Sequence, residues 1–235
     1  MEKITAIIKT KNADKTLCNI LESIKTIDEI IALDDNSTDD TIDILKEYKA
    51  KIVYFSYNEL DYALNQALAD AMGDWILIVE QDEIIPSSLI EKLKNYSLNP
   101  KKNKYSVLLN QKVFYLNKEL RAAANWTLRF FKKDCCTFRD NKAVIKKGKS
   151  LKIKPCFYKY IDNNIVNRLN NTLSQKAQAD SRAPKVFINP VLSFFYYYFF
   201  KKAILDKKQG LIFALEKAFN SFIQEVILFE KKEEE

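Results

Sequence analysis

The 235-residue chain has no histidine, three glycines and four cysteines. Without histidine the commonest general base is missing, so acid-base chemistry has to rest on Asp, Glu, Lys, Tyr or Cys. The same absence leaves Cys18, Cys135, Cys136 and Cys156 without a histidine to complete a zinc site. They show no Cys-x-x-Cys spacing either, so structural zinc is not expected, and reduced thiols point to the cytoplasm. With so few glycines there is no glycine-rich phosphate loop after Ile8, which argues against nucleotide transfer as the reaction. Long apolar runs are also missing. Ala6 to Ile8 is too short for a signal-peptide core, and Val186 to Phe200 is broken by Asn189, Pro190 and Ser193, too short to span a bilayer.

The chain does have enough apolar material for one substantial core, with 47% hydrophobic and 29% charged residues. A formal charge of +7 points to an anionic partner, and its sign alone does not choose among nucleic acid, a phosphorylated small molecule and an anionic membrane.

The first half alternates strand and helix signals. Ile4 to Ile8, Ile30 to Leu33, Ile52 to Phe55 and Trp75 to Val79 are short apolar runs of the buried-strand type. Between them, Leu17, Ile20, Leu21 and Ile24 recur at helical spacing, Ser37 with Asp40 forms a capping-box start for a helix, and Tyr62 to Met72 forms a third helix closed by Gly73. This rhythm predicts an α/β fold: a mostly parallel sheet with helices on both faces. Ligands of such sheets sit beyond the carboxyl ends of the strands. Two acidic clusters fall there, Asp34-Asp35 and the "EQDE" of Glu80, Asp82 and Glu83. Carboxylates converging on one rim suit a divalent cation bound to a diphosphate; a solvated loop and a helix N-terminus are the plainer explanation of each alone.

"ITAIIKTKN", "IDEIIALDDNSTDDTIDILKEYKAKI" and "ALNQALADAMGDWILIVEQDE" together resemble the family 2 glycosyltransferases of GT-A fold, especially the branch that adds sugars to the lipopolysaccharide inner core. The resemblance implies a nucleotide-binding half over about 1–100 and an acceptor half over about 101–185, making a catalytic domain 1–185, followed by a helical extension 186–235. It places Asp34 against the nucleotide base, with Asp35 beside it, and puts Thr10, Asn12 and Asn65 in the nucleotide pocket. "EQD" then stands at the DxD position, with Asp82 and Glu80 as ligands of Mn2+ or Mg2+ and of the donor diphosphate.

Several positions depart from that family. Ala13 replaces a usual Glu, Glu80 a usual Asp, and Leu64 the basic member of a basic-Asn pair. Where relatives carry a His-Glu pair facing the acceptor, this chain has Asn141 and Lys142 or near neighbours, and a later His is replaced at Cys156 or Phe157. Inverting transfer needs a group to take the acceptor proton, and Asp140 and Glu83 are the remaining carboxylates for it. Arg129 is placed to stabilise the leaving diphosphate in lieu of a base at position 64; a surface arginine on an edge strand fits its sequence equally well.

The C-terminal part differs in character. "VFINPVLSFFYYYFF" runs into Lys201 and Lys202, a combination suited to the headgroup boundary of an anionic membrane. Leu211, Leu215, Ala218, Phe219, Phe222, Ile223, Val226 and Ile227 make an amphipathic stripe that would pack on the catalytic domain or on a second subunit, leaving a homodimer open. The resemblance thus implies a cytoplasmic enzyme, peripheral on the inner face of the membrane. It would move a hexose, glucose first, from a UDP-sugar to a lipid-linked oligosaccharide acceptor with inversion, and would not bind nucleic acid. The altered His-Glu segment keeps a second reading alive, a sugar-nucleotide or membrane-binding protein that retains the fold without catalysis.

Overall fold

The computed structural model describes residues 2–56, 59–161 and 186–233. The end of the expected acceptor half, 162–185, lies outside the described residues. Ten strands and six helices are used below: β1 (Ile4–Thr10), α1 (Asp14–Ile24), β2 (Glu29–Asp34), α2 (Thr41–Glu47), β3 (Lys51–Tyr54), α3 (Leu60–Asp70), β4 (Trp75–Glu80), β5 (Glu83–Ile84), α4 (Ser87–Leu98), β6 (Ser106–Tyr115), β7 (Lys118–Lys132), β8 (Cys136–Arg139), β9 (Lys142–Ile145), β10 (Ser150–Tyr160), α5 (Ile188–Phe195) and α6 (Lys207–Glu233).

Eight strands form one sheet in the order β3-β2-β1-β4-β7-β6-β10-β5, and β8-β9 form a separate hairpin. β3, β2, β1 and β4 are mutually parallel, and β7 runs antiparallel to β4. The architecture is the expected α/β sheet with helices on both faces, extended on one side by antiparallel strands. The chain divides into two compact units, Met1–Gln111 with Asn125–Lys159, and Lys112–Ala124 with Tyr160–Glu235.

In the first unit the apolar runs are continuous because the sheet is covered on both faces. Ile4, Ala6, Ile8, Ala32, Trp75, Leu77 and Phe130 point to one side and pack with Leu17, Ile20 and Leu21 of α1, Leu45 of α2, and Leu89 and Leu93 of α4. Their neighbours Ile7, Ile31, Leu33, Ile76, Ile78 and Phe131 point to the other, against Leu60, Leu64 and Leu68 of α3 and Phe138 of β8. Trp75 stacks on Phe130 at 4.8 Å between ring centroids. Burying side chains of this size contributes roughly 1.5–3 kcal/mol each, which is what fixes the register of the central strands.

Two local expectations are corrected. The capping box does not form, because the Ser37 hydroxyl donates to Asp34 Oδ1 at 2.6 Å; α2 starts at Thr41, whose amide donates to Asp39 Oδ1 at 3.1 Å. Gly73 does not cap a helix, since α3 ends at Asp70. A Cβ on it would lie 2.6 Å from the Thr5 amide nitrogen, so glycine there permits close approach to β1.

The second unit has its own small core of Tyr115, Leu120, Ala122, Ala203 and Phe213. Asp206, nearly fully buried, accepts the Ala122 amide at 3.0 Å, and Tyr115 donates its hydroxyl to Glu216 at 2.9 Å. α6 buries Phe213, Ala214, Ile223 and Leu228, whereas Leu211, Leu215, Phe219 and Phe222 of the expected stripe stay exposed. The packed face is therefore rotated from the one periodicity picked out. Of the aromatic block, Tyr197 packs on Phe213 at 5.7 Å, while Phe187, Phe195, Phe199 and Phe200 are exposed. No helix of the described residues is long and apolar enough to cross a membrane.

Candidate functional site

Strand register brings the two acidic clusters together. β1 lies between β2 and β4, with Thr10 opposite Asp34 on one side and Lys9 opposite Glu80 on the other. Both strand ends therefore open on the same rim, as the sequence implied.

On the β2 side, Asp34 is fully buried and its carboxylate is engaged. It accepts from Thr10 Oγ1 at 3.0 Å, from the Ser37 amide at 2.8 Å and from the Ser37 hydroxyl. Asn12, at φ 46, accepts the Thr38 amide on its Oδ1 at 2.9 Å and donates its own amide to Ser37 Oγ. Asn suits this left-handed position because its short polar side chain satisfies the backbone locally. Asp35 pairs with Lys11 at 2.7 Å. Thr10, Asn12, Asp34 and Asp35 thus form one knit between the loops after β1 and β2.

The β4 side carries the charge. Glu80, Asp82 and Glu83 each offer an oxygen, and these lie within 4.8 Å of one another. Facing them are three cations from distant parts of the chain. Arg129 of β7 reaches Glu83 at 2.7 Å and Glu80 at 3.2 Å, and lies over the Phe157 ring at 5.5 Å. Lys159 of β10 reaches Glu80 at 2.5 Å and Asp82 at 3.2 Å, and Lys9 reaches Glu80 at 3.5 Å. Glu83 also accepts the Glu80 amide at 2.9 Å. Gln81, between the acids, accepts the Lys11 amide and donates to the Lys11 carbonyl, at 2.7 and 3.1 Å.

Burial acts on every member, and the neighbours decide the direction. For Glu80 burial works upward, but Arg129, Lys159 and Lys9 outweigh it and hold the carboxyl below its ordinary range. Glu83, with no exposed side-chain surface, is pushed up to about 7 by burial and by Glu80 against the pull of Arg129. Burial also raises Asp82 in spite of Lys159. Lys159 and Arg129 are raised, the acids prevailing over burial.

A divalent cation fits this set by its chemistry. Three hard carboxylate oxygens converge, and Asp82 Oδ1 is buried with no hydrogen-bond partner among the described residues, an acceptor whose desolvation a cation would offset.

The other expected site residues, Asn65 and Asp140, are not among the ion pairs of this cluster. Asn65 clamps β8 from α3: its amide donates to the Asp61 and Phe138 carbonyls, and its Oδ1 accepts Thr137 Oγ1 and the Phe138 amide. Asp140 is exposed at the tip of the β8-β9 hairpin, at φ 51. Lys159 and Lys9 were not foreseen.

Comparison with known proteins agrees with the arrangement. The family model for glycosyl transferase family 2 matches residues 5–156. An uncharacterized glycosyltransferase of Rickettsia typhi is 28% identical over 214 residues, covering 80% of this chain and 72% of the relative. A poly(ribitol-phosphate) beta-glucosyltransferase of Bacillus spizizenii is 30% identical over 124 residues, which is 46% of this chain and 19% of that protein. A solved glucosyl-3-phosphoglycerate synthase of Mycobacterium tuberculosis, in complex with Mn2+ and UDP-glucose, is 25% identical with a TM-score of 0.38, covering 48% of this chain and 44% of that one. With the family model matched over residues 5–156, most of its length, the chain belongs to glycosyl transferase family 2 and is a glycosyltransferase.

Proposed function

We propose that this glycosyltransferase moves a hexose, glucose, from a UDP-sugar to a lipid-linked oligosaccharide of the lipopolysaccharide-core type, with inversion. The observation that carries the donor reading is the common rim: Asp34 at one strand end, and Glu80, Asp82 and Glu83 two strands away. The named activity of the Bacillus relative supports glucose as the sugar. Glu80 and Asp82 would hold Mn2+ or Mg2+, which supplies charge neutralisation for the leaving diphosphate.

The chain's own residues then divide the work. The Asp34, Thr10 and Asn12 knit orients the pocket for the nucleotide, with Asp35 beside it. Arg129, fixed by Glu83 and Glu80, presents a guanidinium that does not reorganise as charge develops on the diphosphate. Of the two carboxylates foreseen as base, Glu83 is buried and bonded to Arg129, so Asp140, exposed on its hairpin, is assigned the acceptor proton. The exposed aromatics Phe187, Phe195, Phe199 and Phe200 in and around α5, with Lys201 and Lys202 after them, hold the enzyme on the inner face of the cytoplasmic membrane, near a lipid-linked acceptor.

The test is thermal. UDP with Mn2+ should raise the melting temperature of the full chain by mass action, and the rise should disappear in Asp82→Ala. If no nucleoside diphosphate shifts the parent protein, the donor reading is wrong.

A further inference from the structure

Lys159 occupies an unusual place. It sits on β10 directly opposite Glu83 of β5, and its ammonium lies between the first and last acids of the "EQD" motif, 2.5 Å from Glu80 and 3.2 Å from Asp82. Lys9, Arg129 and Lys159 match Glu80, Asp82 and Glu83 charge for charge, so the carboxylates are already neutralised. A divalent ion held by Glu80 and Asp82 would meet the Lys159 ammonium where it has to bind, and the two positive charges would repel at that short range.

One of the cations has to give way, and their anchoring says which. Arg129 is 11% exposed, planar, doubly bonded and held over an aromatic ring. Lys159 is 25% exposed and carries its charge on a flexible four-carbon stem, which can swing while its Cα stays in the strand. Among the described residues Lys9 pairs with Glu80 alone, and from farther away, at 3.5 Å.

Building on the donor reading above, we infer that Lys159 is an exchangeable counter-ion. Without a divalent cation it bridges Glu80 and Asp82; the cation takes those carboxylates by displacing it, and the released ammonium pairs with a diphosphate oxygen of the donor. The cation and the nucleotide should therefore bind cooperatively, because the nucleotide gives the displaced lysine a new partner.

Mn2+ binding to the full chain, alone and with UDP, measured by titration calorimetry, tests this. Lys159→Met should bind Mn2+ alone at least about tenfold tighter than the parent, and UDP should strengthen Mn2+ binding less than in the parent. Lys159→Gln, which removes the charge but keeps a polar end, should do the same and serves if the Met variant misfolds. Lys9→Met is the control for general loss of positive charge and should give a distinctly smaller gain. An unchanged or weaker Mn2+ affinity in both Lys159 variants overturns the exchange, as does an equal gain in Lys9→Met. Absence of UDP binding in the parent would instead defeat the donor reading, while the Mn2+ titrations without nucleotide would still decide the role of Lys159.

Discussion

Replacing Arg129 by Met removes the cation that holds the most deeply buried carboxylate of the Glu80, Asp82 and Glu83 cluster. Glu83 loses its 2.7 Å partner, keeps the Glu80 amide and a 3.4 Å contact from Gln111, and is almost fully shielded from solvent. Glu80 suffers less because Lys159 and Lys9 remain beside it. Removing one partner of a buried pair costs about 3–5 kcal/mol, and at roughly 2–4 °C per kcal/mol for a chain of this size the melting temperature should fall by about 6–20 °C. The loss should depend on pH with a defined sign. Glu83 is raised from 4.5 to about 7, so the stability it contributes as the neutral acid is complete below about pH 4.5 and is lost as pH rises through 7. Without Arg129 its carboxyl moves higher still, and at low pH the variant escapes the penalty by keeping the proton. Differential scanning fluorimetry of parent and variant without metal, at about pH 8.5 and about pH 5.5, should show the larger deficit at the higher pH. A deficit that is equal at both values, or that grows toward acid, refutes this account of the ion cluster.

Asp34→Asn keeps the shape but places an NH2 group against the donors Thr10 Oγ1, Ser37 N and Ser37 Oγ; calorimetry should register a loss of about 1–3 kcal/mol, and UDP affinity should fall with it. Asp140→Asn, on an exposed turn, should leave the melting temperature within about 1 °C while lowering kcat by about 100-fold or more with little change in donor KM; unchanged turnover would move the base elsewhere. Phe195, Phe199 and Phe200 replaced together by Ser should release the protein from anionic liposomes in a sedimentation assay without unfolding it, since all three are exposed, whereas Tyr197 packs in the core and is left alone.

The sequence carried the central sheet well, because strands covered on both faces show up as apolar runs, and the acids at their ends follow from the βα rhythm. It did not carry the cations. Lys159 meets Glu80 across 79 residues, through pairing of the two-residue strand β5 with β10, and so short a strand leaves no periodic trace. The capping box failed for a related reason: Ser37 has the right spacing for a cap, but a buried carboxylate three residues back competes for its hydroxyl and wins. On α6 the apolar residues outnumber the positions that one face can bury, so periodicity alone does not identify the packed side.

The middle residue of the motif turns out to be more than a spacer. With one bond accepted from and one donated to Lys11, the residue that follows β1, the Gln81 amide acts as a peptide unit would, adding a rung past the point where β1 and β4 have ended. Only a side chain with both a donor and an acceptor can imitate a peptide in this way; glutamate at this position would offer two acceptors and confront the Lys11 carbonyl with negative charge. The acids on either side are thus tied to the floor of the sheet through their neighbour, and any movement of the loop after β4 has to take the end of β1 with it.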